Sequence, residues 1–199
     1  MTRQRTWAVP EELQQVAFDL RPIGVVRSPL RVHHDAPRQA RPHADPAASP
    51  CAEIHLAQGL QNGLDDLAGF SHVWVLFWCH HTRGWNSKVA PPRDTRKRGV
   101  FATRAPARPN PIGLSCLRLL GIDGRVLRVG DHDLLDGTPV LDLKPYLPYS
   151  DCVPDARLGY ASTLPADAAD HRAWWEGKDA PLPRVYRERD RDRDPDAAP

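Results

Sequence analysis

The stretch GLSCLRLLGIDGRVLRVGDHDLLDGTPVLDLKPYLPY, residues 113–149, constrains the fold more than any other part of the chain. Short apolar runs alternate there with two Asp-Gly signals, GIDGR and LLDGTP. Asp-Gly between alternating apolar residues favours tight reversals of extended chain, so the pattern predicts consecutive antiparallel strands with tight connections. Before Asp151 no long helical period appears, and strands do not alternate with helices. With 199 residues, the chain suits one mainly-β domain, a small antiparallel barrel or a sandwich with peripheral short helices.

Prolines, 21 in all, mark the other boundaries. LRPIGVVRSPL (Leu20 to Leu30) reads as a strand stopped by Pro29, and Glu53 to Leu56 as a short strand followed by a turn or short helix through Leu67. SHVWVLFWCHH reads as a strand buried on both faces. Thr82 to Arg98 is a basic loop and VFATR a further strand. The next residues, APARPNPIG, hold too many prolines for a helix or a central strand. They form a rigid extended loop that presents Arg104, Arg108 and Asn110 at low entropic cost. The chain divides into an N-terminal extension (1–20) with a short helix near Glu11, a barrel domain (21–155), a C-terminal flap (156–178) and a charged, disordered tail (179–199).

Overall charge is only +2, but it is segregated. Between Arg83 and Arg108 eight basic residues face the single acid Asp94, leaving the remainder net acidic. Such a cluster is either a solvated loop or the electrostatic footprint of phosphate binding, with Trp85 placed to stack a base. Cys51, Cys79, Cys116 and Cys152 form no CxxC pair, and the histidines show no HxH or HExxH spacing. His80 and His81, adjacent on a strand, would point to opposite faces, so a metal-dependent hydrolase has little support. The N-terminus lacks the pattern of a secretory signal and the longest apolar run, Val73 to Cys79, is too short to span a bilayer, so a cytoplasmic protein is expected. Dinucleotide-binding, P-loop and serine-hydrolase motifs are absent. Asp133 and Asp136 lie in a Gly-containing hairpin, where Asp serves turn geometry or leaves main-chain groups at 135–138 exposed to a heterocycle.

Five blocks in order, IGVVRSP, PRQ, GLDDLAGFSHVWVLFWCHH, GVFATRAPARPNPIGLS and LLDGTPVLDLKPYLPYSD, resemble the TsaA-like family. The resemblance covers about Pro22 to Asp155. It implies a small β-barrel methyltransferase, unlike the doubly wound Rossmann type, working as a homodimer with its cofactor near the subunit junction. The implied reaction moves a methyl group from S-adenosyl-L-methionine to N6 of threonylcarbamoyl-adenosine at tRNA position 37, beside the anticodon. A binding module without turnover is the alternative, since no obligatory catalytic side chain stands out.

Carried over position by position, the resemblance assigns the cofactor to Pro37, Arg38 and Gln39, to Cys79 and His80, to Arg104, to Leu114, and to Leu135, Asp136, Gly137 and Thr138. Arg38 or Arg104 suits the cofactor's carboxylate in a bidentate pair. The basic loop around Arg93, Arg96, Lys97, Arg98 and Arg108 is expected to take the tRNA backbone. Asp136, His80 or water is available as proton acceptor, and the sequence selects none of them.

Overall fold

Alternation along the strands builds the core. In AEIHL the side chains of Ala52, Ile54 and Leu56 are buried while Glu53 is exposed, the period-two pattern of a strand with one face packed. The same alternation buries Val73 and Val75, Ser115 and Leu117, and Leu127 and Val129. The computed structural model of the chain describes residues 7–13, 19–31, 36–37, 39–40, 42, 49–91 and 94–164. Within these lie β1 (Gly24–Arg27), β2 (Ala52–Leu56), β3 (His72–Trp78), β4 (Lys88–Val89), β5 (Arg98–Gly99), β6 (Ile112–Asp123), β7 (Val126–Gly130) and β8 (Pro139–Pro145). One helical turn, α1 (Pro148–Asp151), and short 3-10 turns complete the described elements.

Two units separate. The first comprises 1–86 and 106–152, the second 87–105 and 153–199. The first unit is a closed barrel in the order β1-β2-β7-β6-β3-β8, with every pairing antiparallel. Closure comes from β1 against β8, Gly24 opposite Val140, which joins the start of the domain to its last strand. Val26, Ile54, Val73, Val75, Leu117, Leu127, Val129, Leu134 and Val140 are fully buried inside. β6 and β7 form the expected hairpin, Asp123 opposite Val126, with Gly124 at φ 55° in the two-residue turn.

Three expectations differ from what forms. LLDGTP closes no hairpin: β7 pairs with β2 and β6, β8 with β1 and β3, and the chain between them crosses one barrel end. β3 buries one face only, Val73 and Val75 inside and His72, Trp74 and Leu76 half-buried outside, because a barrel strand has an interior and an exterior. Its apolar outer side hides that alternation in the sequence. VFATR is not a strand, since Val100–Ala102 forms a 3-10 turn closed by Thr103 N–H on the Val100 carbonyl (3.1 Å).

In the second unit, β4 and β5 pair antiparallel, Lys88 opposite Gly99. Asp94 organises the connection between them: its Oδ1 accepts from Arg96 N–H (2.8 Å) and its Oδ2 from Arg98 Nε (2.5 Å). Those donors hold the Asp94 carboxyl below the usual carboxylate range, the Arg96 N–H foremost. Residues 165–199, the expected tail and most of the flap, lie outside the described residues, as does most of the N-terminal extension.

Candidate functional site

Antiparallel register brings the C-terminal ends of β1, β3 and β7 to the same barrel end as the N-terminal ends of β2, β6 and β8. Residues 131–138 cross that end. Alternation along the crossing turns His132 and Leu134 inward, both fully buried, and leaves Asp133 and Leu135 half-buried. Ser115, buried on β6, donates through Oγ to Asp133 Oδ1 at 2.7 Å and so ties the crossing to the barrel wall. Arg118 Nε donates to Asp131 Oδ2 at 3.0 Å. Ser49 Oγ accepts from Asp131 N–H at 2.9 Å.

Three of the four N–H groups of the turn at Leu135–Thr138 are engaged. The Asp136 N–H donates to the Leu30 carbonyl (2.8 Å), Gly137 N–H to Val26 (2.9 Å) and Thr138 N–H to Leu135 (3.2 Å). Gly137 sits at φ 76°, the left-handed region such a turn requires. Asp136 is equally committed: Oδ1 accepts from Ser28 N–H (3.1 Å) and Oδ2 from Arg31 Nη1 (2.8 Å). The Ser28 N–H, aided by Arg31, lowers its carboxyl below the usual carboxylate range. Such a carboxylate is a poor proton acceptor and a good clamp on residues 28–31.

Cys79 and His80 follow directly on β3 at this end. The backbone of Cys79 is used on both sides: its N–H donates to the Pro111 carbonyl (2.7 Å), and its carbonyl accepts from Thr82 N–H (3.1 Å) and Oγ1 (2.8 Å). Its thiol is pushed up to about 11 by burial and by the Asp133 carboxylate, with Arg108 opposing, so it stays protonated at neutral pH. Asp133 and Arg108 thus share the surroundings of one thiol. His80 and His81 are in a turn rather than on a strand, and their rings lie 3.9 Å apart at 41°, on the same side. Burial first, then the neighbouring His81, lowers the His80 imidazole, keeping it neutral at pH 7.

Other assigned positions are more scattered. Leu114 is on β6, opposite Leu76 and pointing out of the barrel, 53% exposed. Pro37 and Gln39 are exposed in the first unit, where Ala40 between them and β2 packs on the core. Arg104 is exposed and belongs to the second unit. Arg38 and Arg93 lie outside the described residues.

The basic residues also divide. Arg98 is bound through Nε to Asp94 and lies with its guanidinium 4.4 Å from the centre of the Tyr160 ring, both within the second unit. Arg96 and Lys97 are exposed on the connection that Asp94 organises. Arg108 is half-buried in the first unit, near Cys79. Trp85 packs edge-on against Trp7 at 6.1 Å, whereas Phe101, which sequence reasoning passed over, is 78% exposed. Ser115 and His132 were missed as well; nothing local in the sequence marks a serine or histidine that a barrel buries.

A closed antiparallel barrel whose β3 end meets a polar crossing of its mouth defines a small all-antiparallel β-barrel domain, not a doubly wound one. Residues 25–152 match the family described as the tRNA-methyltransferase O N-terminal domain, and the chain belongs to that family. It is 42% identical over 160 residues to the tRNA (adenine(37)-N6)-methyltransferase of Escherichia coli (strain K12), covering 75% of this chain and 66% of that protein, just under two thirds of its length. An S-adenosyl-L-methionine-binding protein of Archaeoglobus fulgidus is 42% identical over 134 residues, covering 67% of this chain and 93% of the relative. Among solved structures, TrmO from Pseudomonas aeruginosa superposes with a TM-score of 0.64 at 39% identity, over 77% of this chain and 67% of that one.

Proposed function

We propose that this chain is an S-adenosyl-L-methionine-dependent tRNA (adenine(37)-N6)-methyltransferase, acting in the cytoplasm on threonylcarbamoylated A37 to give the N6-methylated product. One observation carries the reading: Cys79, His80 and Leu135–Thr138, far apart in sequence, converge on a single barrel end. Relatives named for tRNA methylation and for S-adenosyl-L-methionine binding support the same assignment.

The residues at this end suit the donor. A molecule with an ammonium, a sulfonium and a carboxylate needs both signs of charge, and Asp133, Arg31 and Arg108 supply them in the first unit. The half-buried Leu135 offers an apolar surface for a heterocycle. Pro37, Arg38, Gln39 and Leu114 complete the proposed set in the first unit, and Arg104, in the second, is a cofactor residue on the family resemblance alone.

When bound, the donor supplies a methyl group already activated by its sulfonium. What remains for the protein is alignment of the N6 lone pair with that carbon, which is worth about 7–11 kcal/mol when the reacting atoms are well oriented. The new C–N bond forms as the C–S bond breaks, and N6 sheds one proton. His80, neutral at pH 7, is the proposed acceptor of that proton; Asp136 is already held by Ser28 and Arg31. The protonated Cys79 thiol excludes a thiolate relay at neutral pH.

A second copy of the chain is the proposed partner for the outer face of β3 and β6, where Trp74, Leu76 and Trp78 stand opposite Cys116, Leu114 and Ile112. Calorimetry with S-adenosyl-L-methionine tests the site: saturable heat from the wild type, lost in a Leu135→Glu variant that remains folded, is the expected result. Absence of heat from the wild type contradicts the reading.

A further inference from the structure

The second unit presents a rigidly mounted aromatic ring among cations. Phe101 is 78% exposed although both sides of its backbone are fastened. Val100 is buried and donates through its N–H to the Ser87 carbonyl (3.0 Å). Thr103 Oγ1 donates to the Val100 carbonyl (2.8 Å), and Tyr160 OH to the Ala102 carbonyl (2.9 Å). Tyr160 itself lies under Arg98, which Asp94 grips. A side chain so well anchored at its neighbours, yet left in water, is not exposed for want of structure around it.

Exposed apolar residues scattered singly are ordinary, so charge must decide what Phe101 meets. Tyr149 is as exposed (86%), but it stands in the first unit two residues before the carboxylate of Asp151. Phe101 lies in the stretch 87–105, which also exposes Lys88, Arg96, Lys97 and Arg104 and whose single acid in sequence, Asp94, is buried and already bonded. An exposed aromatic face in a stretch that also exposes several cations matches an unpaired nucleotide, whose base stacks while its phosphates are neutralised.

From this placement we infer that Phe101 is a base-stacking platform for an unpaired nucleotide of the RNA, with Arg96 and Lys97 holding the adjoining phosphates. The inference rests on the proposed action on tRNA and adds the residue that grips a base. Stacking is tolerant of sequence, so Phe101 contributes affinity and register rather than base identity.

Fluorescence anisotropy with a labelled tRNA anticodon stem-loop separates the possibilities. Phe101→Ala is expected to weaken binding roughly 5- to 150-fold, the range for loss of one base–aromatic stack, with the salt slope unchanged. Phe101→Trp is expected to restore affinity and to show its added indole emission quenched by RNA, which a merely structural role would not produce. Donor binding by calorimetry should be equal in all three proteins. Unchanged RNA affinity in Phe101→Ala, or a loss explained by a change in sedimentation mass or in donor binding, overturns the inference. A wild type that binds no tRNA contradicts the proposed function itself, a different and recognisable result.

Discussion

Arg31 and Asp136 are 105 residues apart in sequence and 2.8 Å apart in space. Their contact joins the segment leaving β1 to the crossing before β8, and Asp136 secures that segment a second time through Ser28 N–H. The pair ties the segment after β1 to the crossing at the barrel end that carries the proposed site.

Asp136→Ala should therefore weaken donor binding about tenfold or more, the scale of a lost hydrogen bond to a charged group. Asp136→Asn, which keeps an acceptor for Ser28, should lie between the variant and the wild type. Calorimetric titration of each reads the order directly, and equal affinity across the three contradicts a role for the clamp.

Gly113 faces the Phe77 ring so closely that a Cβ there would lie 2.3 Å from it. Gly113→Ala should destabilise the barrel by about 1–3 kcal/mol, the usual cost of overpacking a filled core. Adding Phe77→Leu should recover part of the loss in urea unfolding, because the smaller side chain makes room.

How much of this was legible beforehand differs by element. Binary alternation and Asp-Gly turns identify β2, β6, β7 and their antiparallel pairing from sequence, since those signals are local. The path of 131–138 is not local: LLDGTP has the same turn chemistry whether it closes a hairpin or crosses a barrel, and only the partners of β8 decide. The family blocks bring Cys79, His80 and 135–138 into one list, but the engaged N–H groups at 136–138 follow from Val26, Leu30 and Leu135, which no motif marks. Charge clustering found the basic stretch and could not separate Arg98, paired with Asp94 and stacked on Tyr160, from the exposed Arg96 and Lys97 before it.

Buried His132 makes stability sensitive to acid. Its Nδ1 accepts from Leu134 N–H (3.3 Å) and its buried Nε2 has no hydrogen-bond partner among the described residues, while Asp131 and the Cys51 backbone are the other groups acting on it. Burial lowers its folded pKa below the unfolded value of 6.5, so the unfolded chain takes up a proton first as pH falls. This contribution is fully present above about pH 6.5 and is lost below it, at up to about 1.4 kcal/mol per pH unit. Urea midpoints between pH 8 and 5.5 should show that decline, and His132→Leu should flatten it.

Replacing Arg96 and Lys97 together by Ala should lower the slope of log K against log salt for tRNA by about 1.4–1.8, two phosphate contacts' worth. Arg98→Ala should instead loosen the second unit and be read as faster proteolysis around 88–105. An unchanged slope in the double variant contradicts the phosphate role.

The most direct measurement is mass spectrometry of nucleosides from tRNA incubated with the wild-type protein and methyl-labelled S-adenosyl-L-methionine. One added labelled methyl is expected on threonylcarbamoylated A37, with none on the same tRNA lacking that modification. Donor consumed with no label on A37, or label on A37 regardless of the threonylcarbamoyl group, would contradict the proposed function.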